Sequence, residues 1–181
     1  MRWVAFVRNV MVGREGLERE VLLEIAREAG GTDVRSHLTT GNLTFTAEDV
    51  HPDVLASRLE AGVRGVLGRD EIVAIRSFPW LLSLLDNDPF AGLDATQWGF
   101  EVAFLRHDAP PLDPARLEDA QRTVLAHLQD RELFAARPPV GGRRPHVNRL
   151  LERATGSRAT SRGWSTLQRI AAAGDGGQPP A

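Results

Sequence analysis

The chain has 181 residues, of which 42% are apolar, 25% charged and 6% aromatic, and its formal net charge is −2. That is the composition of an ordinary globular chain with enough apolar side chains for a core. Cysteine, lysine and tyrosine are absent, which excludes disulfides, thiolate metal sites and nucleophiles, Schiff-base and P-loop lysine chemistry, and tyrosine acid–base catalysis. No apolar run approaches the roughly 20 residues of a membrane span, so a cytoplasmic protein is expected.

In chain order, Trp3–Val7 is short, β-branched and aromatic, and reads as a buried strand. Leu17, Val21, Leu22, Ile25 and Ala29 then recur at helical spacing opposite a row of glutamates, and Gly30-Gly31 stop that helix. Residues 34–39 and 43–46 alternate as two strands, with Thr40-Gly41-Asn42 as the turn between them. Pro52 opens a second helix along Leu55, Leu59, Val63 and Val66, weakened by Gly62 and Gly65. A fourth strand is predicted over 71–76. The order β-α-β-β-α-β over 3–77 is the split-βαβ, ferredoxin-like motif, with both helices on one sheet face.

Strand one is apolar on both sides, so the rest of the chain is expected to cover the second face. That remainder reads as a helix over 78–85, a strand over 100–105, and a helix after Pro114 carrying Leu117, Ala120, Val124, Leu125 and Leu128. A weak strand over 132–136, a Pro-Gly-Arg loop over 137–145 and helices over 146–154 and 160–173 complete it. The fold class expected is α+β, a ferredoxin-like first half (1–77) packed on a second, degenerate α+β half (78–173), with a disordered tail (174–181). No internal sequence repeat is read between the halves.

Charge is unevenly placed. Residues 1–136 hold 14 Arg against 22 acids, whereas residues 137–169 hold eight Arg against Glu152 alone. Guanidinium groups bind phosphate or carboxylate bidentately, so this basic segment reads as an anion site, or else as a partner for the acidic first helix. Nucleic acid is not the expected partner, because a broad basic field and exposed aromatic platforms are missing.

None of the five histidines forms a metal-ligand pair, so neither a metal nor a cofactor is expected. His37, mid-strand beside the hairpin, is the first candidate acid or base, against a merely solvated strand histidine. Arg8 and Asn9 end strand one, and Asn42 begins the antiparallel neighbour, which places all three on one polar rim. Thr160 reads as an N-cap with Trp164 packing inward. Arg162 then sits near a helix start, where a positive charge opposes the macrodipole and calls for an acidic partner or an anionic ligand. Arg149 and Trp164 complete the candidate ligand-binding set.

Three stretches carry a family resemblance. They are Phe6-Val-Arg-Asn-Val-Met-Val-Gly13, Val34-Arg-Ser-His-Leu-Thr-Thr-Gly-Asn-Leu-Thr-Phe45 and Leu151-Glu-Arg-Ala-Thr-Gly-Ser-Arg-Ala-Thr-Ser-Arg-Gly-Trp-Ser-Thr166. In these the chain resembles the domain-of-unknown-function 1697 family of bacterial proteins. The resemblance implies an α+β fold of two related ferredoxin-like halves and no particular reaction. Met11, Arg14, Glu15-Gly16, Arg144-Pro145-His146 and Gly163 depart from the residues usual in that family, so apolar positions are kept while several polar ones are lost.

Two functions from different classes follow. One is a module binding a small anion, such as a nucleotide or phosphorylated metabolite, through Arg8, Asn9 and Asn42 with Arg149 or Arg162. The other is a divergent enzyme on a small organic substrate, with His37 as acid or base and Arg8 or Arg162 as clamp. Oligomeric state is not read from the sequence.

Overall fold

The first strand, β1 (Arg2–Val7), is apolar throughout because it lies between two apolar layers. The computed structural model describes residues 1–48, 50–110, 125–137 and 147–174. After β1 come α1 (Arg19–Glu28), β2 (Thr32–His37), β3 (Asn42–Thr46), α2 (Pro52–Leu67), β4 (Val73–Ser77), α3 (Phe78–Asn87) and β5 (Gly99–Leu105). Then follow β6 (Leu125–Gln129), β7 (Glu132–Arg137), α4 (Val147–Thr155), β8 (Ala159–Gly163) and α5 (Trp164–Gly174). The fold is α+β, with two four-stranded antiparallel sheets ordered β2-β3-β1-β4 and β6-β7-β5-β8, and five helices among the described residues.

Strand alternation sorts the core into three layers. Trp3, Ala5 and Val7 face α1 and α2, packing with Leu22, Ile25, Leu55 and Leu59. Val4 and Phe6 face the second sheet, where Phe6 stacks on Phe104 with centroids 4.6 Å apart. Helices α3 and α5 add Phe78, Leu81, Leu167 and Ile170 to this middle cluster. On the far side Ala103, Leu105, Leu133 and Ala135 pack under Val147 and Leu151 of α4. The second face of the first sheet is thus covered by the later residues, and the middle cluster draws on both sides of residue 77. Among the described residues no helix is long and apolar enough to cross a membrane.

Several sequence expectations are corrected. Leu125 and Leu128, expected on a helix, lie on β6, because the backbone pairs with β7 from Leu125↔Ala136 to Gln129↔Glu132 across a two-residue turn. Asp130 adopts φ +48° there. A local hairpin outcompetes a helical spacing of apolar residues. Leu117, Ala120 and Val124 lie outside the described residues, as do His146, the loop residues 138–145 and the tail 175–181. Residues 160–163, expected to open a helix, belong with Ala159 to β8 along β5, and the helix starts at Trp164. The hairpin turn is Leu38–Gly41, so Asn42 is the first residue of β3 rather than part of the turn. Gly41 has φ +68°, and a Cβ there would meet Val10 Cγ2 at 2.3 Å, so both conformation and space demand glycine.

A repeat is present after all. The two sheets share one strand order, and Val4-Ala5-Phe6-Val7-Arg8 occupies in the first the place of Val102-Ala103-Phe104-Leu105-Arg106 in the second. In register, Val4 pairs with Arg76 of β4 as Val102 pairs with Arg162 of β8. Phe6 pairs with Asn42 of β3 as Phe104 pairs with Glu132 of β7. Five residues of shared pattern are too few to stand out in the sequence, but the fold aligns them.

Candidate functional site

Arg162 projects from β8 toward the end of β1 and the β2–β3 turn, and only 7% of it is exposed. Its five N–H groups all find acceptors. Nε donates to Asn42 Oδ1, Nη1 to Thr160 Oγ1 (2.9 Å) and Ser161 O (2.7 Å), and Nη2 to Val7 O (2.8 Å) and Thr40 O (2.7 Å). The guanidinium also lies 5.4 Å from the centre of the Phe6 ring. Every one of these acceptors is electrically neutral. Burial, opposed by the more distant Glu101 carboxylate, pushes its pKa down to about 10, so it is a cation at neutral pH. Arg162 lies on β8 rather than in a first helical turn, two residues before α5 begins at Trp164.

Arg8 is held differently. It bridges Glu71 (Nη1 to Oε2, 3.0 Å) and Glu152 (Nη2 to Oε1, 3.1 Å), and its Nε donates to Ala159 O at 3.1 Å. Asn9, with φ +50°, donates from Nδ2 to Glu71 Oε1 at 2.9 Å. Burial works to raise the Glu71 carboxyl, but hydrogen bonds from Asn9, Arg69 and Arg8 outweigh it and hold the group below the usual range. Asn42 is fully buried, its Nδ2 donating to His37 O (2.9 Å) and Thr40 Oγ1 (3.1 Å).

These residues wall a cleft of about 500 Å³ at the seam between the sheets. The end of β1 and its loop contribute Val7, Arg8, Asn9 and Val10, and the hairpin contributes Thr40. The start of α4 contributes Asn148 and Arg149, and β8 contributes Thr160, Ser161 and Arg162. No carboxylate is among these lining residues. The Arg149 guanidinium is exposed and has no partner among the described residues. Of the candidates from the sequence, Arg8, Asn9, Arg149 and Arg162 therefore meet in one cleft, and Asn42 stands directly behind Arg162.

Two candidates lie elsewhere. His37 Nε2 is 2.8 Å from Thr44 Oγ1 of the neighbouring strand, and His37 does not line this cleft. Burial, with Arg35, Arg2 and Arg19 adding like charge, holds its pKa below the ordinary value. Trp164 is buried at the start of α5 with its ring edge-on to Phe90 at 5.1 Å. It lines a different hollow of about 460 Å³ with Phe90, Trp98 and Phe100. Among the described residues no cluster of His, Asp or Glu is arranged to hold a metal ion.

Glu71 and Glu152, which set the posture of Arg8, were not singled out from the sequence. The paired pentapeptides ending at Arg8 and Arg106 carry the missing signal, since Arg106 is held in kind by Glu60 (2.9 Å). Glu60 Oε1 accepts from Val73 N, which opens β4, as Glu152 Oε1 accepts from Ala159 N, which opens β8.

A profile of the family described as protein of unknown function (DUF1697) matches residues 1–134. A search of curated proteins gave no match. Among solved structures, the chain is similar to one described as conserved bacterial protein SP0830 from Streptococcus pneumoniae, with a TM-score of 0.69 and 16% identity. That likeness covers 94% of this chain and 96% of the other, and at such identity it speaks for the fold alone.

Proposed function

We propose that this chain, which belongs to the DUF1697 family of proteins of unknown function, binds a small anionic molecule in the cleft between the end of β1, the start of α4 and β8. The observation that carries this reading is a wall that, among the described residues, has three guanidiniums and no carboxylate, and of these Arg149 and Arg162 have no carboxylate in direct contact. A volume of about 500 Å³ suits a nucleotide or a phosphorylated or carboxylated metabolite better than a polymer. Arg149 would supply the fork that grips the anion, since a guanidinium binds an oxyanion through two parallel N–H bonds. Arg162, its donors occupied, would act through its charge and by fixing the hairpin against β8.

Titration calorimetry over nucleoside monophosphates, hexose phosphates and dicarboxylates tests the reading. At least one of these anions should bind, and Arg149→Ala should weaken it about tenfold, the loss of one charge-assisted contact. Absence of binding across all three classes would refute it. Arg149→Ala is the informative variant because its exposed side chain holds no other part of the fold in place.

A further inference from the structure

The middle of the molecule contains one device built twice. On β4, Arg76 donates to Glu132 at the start of β7, to Leu105 O at the end of β5 (3.0 Å) and to Ile75 O (2.7 Å). On β8, Arg162 donates to Asn42 at the start of β3, to Val7 O at the end of β1 and to Ser161 O. Each guanidinium lies beside the phenylalanine of the opposite sheet's first strand, Arg76 at 5.8 Å from Phe104 and Arg162 at 5.4 Å from Phe6. These three acceptors correspond, with a single change of charge among them, and Arg162 donates to Thr160 Oγ1 and Thr40 O besides. Glu132 is a carboxylate and Asn42 is an amide. Arg76 is thus neutralised inside the protein, whereas Arg162 is buried as a cation without a counter-charge among its direct partners.

A buried cation with no carboxylate in direct contact is costly, and for Arg162 the more distant Glu101 offsets only part of that cost. Among the described residues the lining of the cleft offers no carboxylate, and Arg149 adds a second guanidinium without a carboxylate in contact on the same wall. Arg8 does not count toward this excess, being bracketed by Glu71 and Glu152. We infer that the cleft selects a dianionic oxyanion, a phosphate monoester, over a monoanion of the same shape, and that Asn42 is the specificity-determining residue because it leaves Arg162 without a carboxylate in direct contact where the twin position carries Glu132. The inference rests on the anion-binding reading above and adds the charge state of the ligand to it. Asn42 lies behind Arg162 and touches no ligand in this scheme, so it acts as a positioning residue whose missing charge is what matters.

Methyl phosphate and methyl sulfate separate the two claims, because they share a shape and differ by one charge above the second phosphate pKa of ~6. At pH 8 the protein should bind methyl phosphate at least tenfold more tightly than methyl sulfate, and by pH 5 the ratio should collapse toward one. Inorganic sulfate, a dianion at both pH values, should keep its affinity better than methyl phosphate over the same range. Asn42→Asp, which restores the twin's carboxylate, should abolish the pH 8 preference. That variant loses the Nδ2 bonds to His37 O and Thr40 Oγ1, so Arg149→Gln, at an exposed position, provides a second arm in which the preference should fall at least threefold. Equal binding of the two methyl esters, or an undiminished preference in folded Asn42→Asp or in Arg149→Gln, would overturn the dianion claim and leave anion binding standing. Failure of all three anions together with the larger anions tested above would remove both.

Discussion

Arg162 joins two sheets with a charged side chain and five neutral acceptors, and the cost of removing it follows from that arrangement. Arg162→Ala leaves Asn42 Oδ1 and the carbonyl of Val7 buried without these donors and frees the carbonyl of Thr40. Denaturant unfolding should show a loss of about 3 kcal/mol or more, and Arg162→Lys should recover little, since one ammonium has three donors where five are used. The role of His37 is similarly local. Its native pKa lies below its ordinary value of 6.5, so the unfolded chain takes up the proton first as pH falls. Its contribution to stability is complete above about pH 6.5 and declines below it until the native ring is protonated too. His37→Gln should therefore flatten the stability profile between pH 7 and 5, read by urea midpoints across that range. The sequence placed Arg8 and Asn42 on one rim because antiparallel neighbours put a strand end beside a strand start. It offered no sign that Arg162 would spend all its donors on the backbone and on neutral side chains, since Val7, Thr40 and Asn42 among those acceptors lie 120 or more residues away.

Elements with strong, local patterns were legible. The alternation in β3 and the helical stripes of α1 and α2 depend on neighbours within a turn or two, so periodicity finds them. Residues 160–163 are expected as helix but form a strand because their strand identity comes from pairing with β5, a partner more than 50 residues earlier. The glycines of α2 separate local from tertiary reasoning most sharply. Both weaken the helix by up to about 1 kcal/mol relative to alanine. A Cβ on Gly65 meets nothing within 4 Å, whereas one on Gly62 would lie 2.6 Å from Ile25 Cγ2 on α1. Gly65→Ala should stabilise the protein by up to about 1 kcal/mol, and Gly62→Ala should destabilise it by about 1–2 kcal/mol through overpacking of the α1–α2 contact. Thermal midpoints moving in opposite directions are the expected result.

At the scale of the whole molecule, two sheets of the same strand order meet face to face, and the contact is made by the aromatic residues of their first strands. Phe104 stacks on Phe6 and also meets Trp80 edge-on at 6.2 Å. Phe104→Ala should cost about 3–5 kcal/mol, and because the middle cluster draws on both sheets, circular dichroism and tryptophan fluorescence should follow a single shared transition. The same packing puts the two buried arginines at corresponding places in the seam, one neutralised by Glu132 and one left with Asn42. The electrostatic difference between them is the reason for locating an anion at the Arg162 side. The most direct measurement is a nuclear magnetic resonance titration of the labelled protein with a nucleoside monophosphate, following the Arg149 Nε–H and the backbone amides of Asn9, Thr40 and Thr160. Saturable shifts confined to these positions are predicted, whereas unchanged spectra, or shifts gathered at Trp98, Phe100 and Trp164, would contradict an anion site in this cleft.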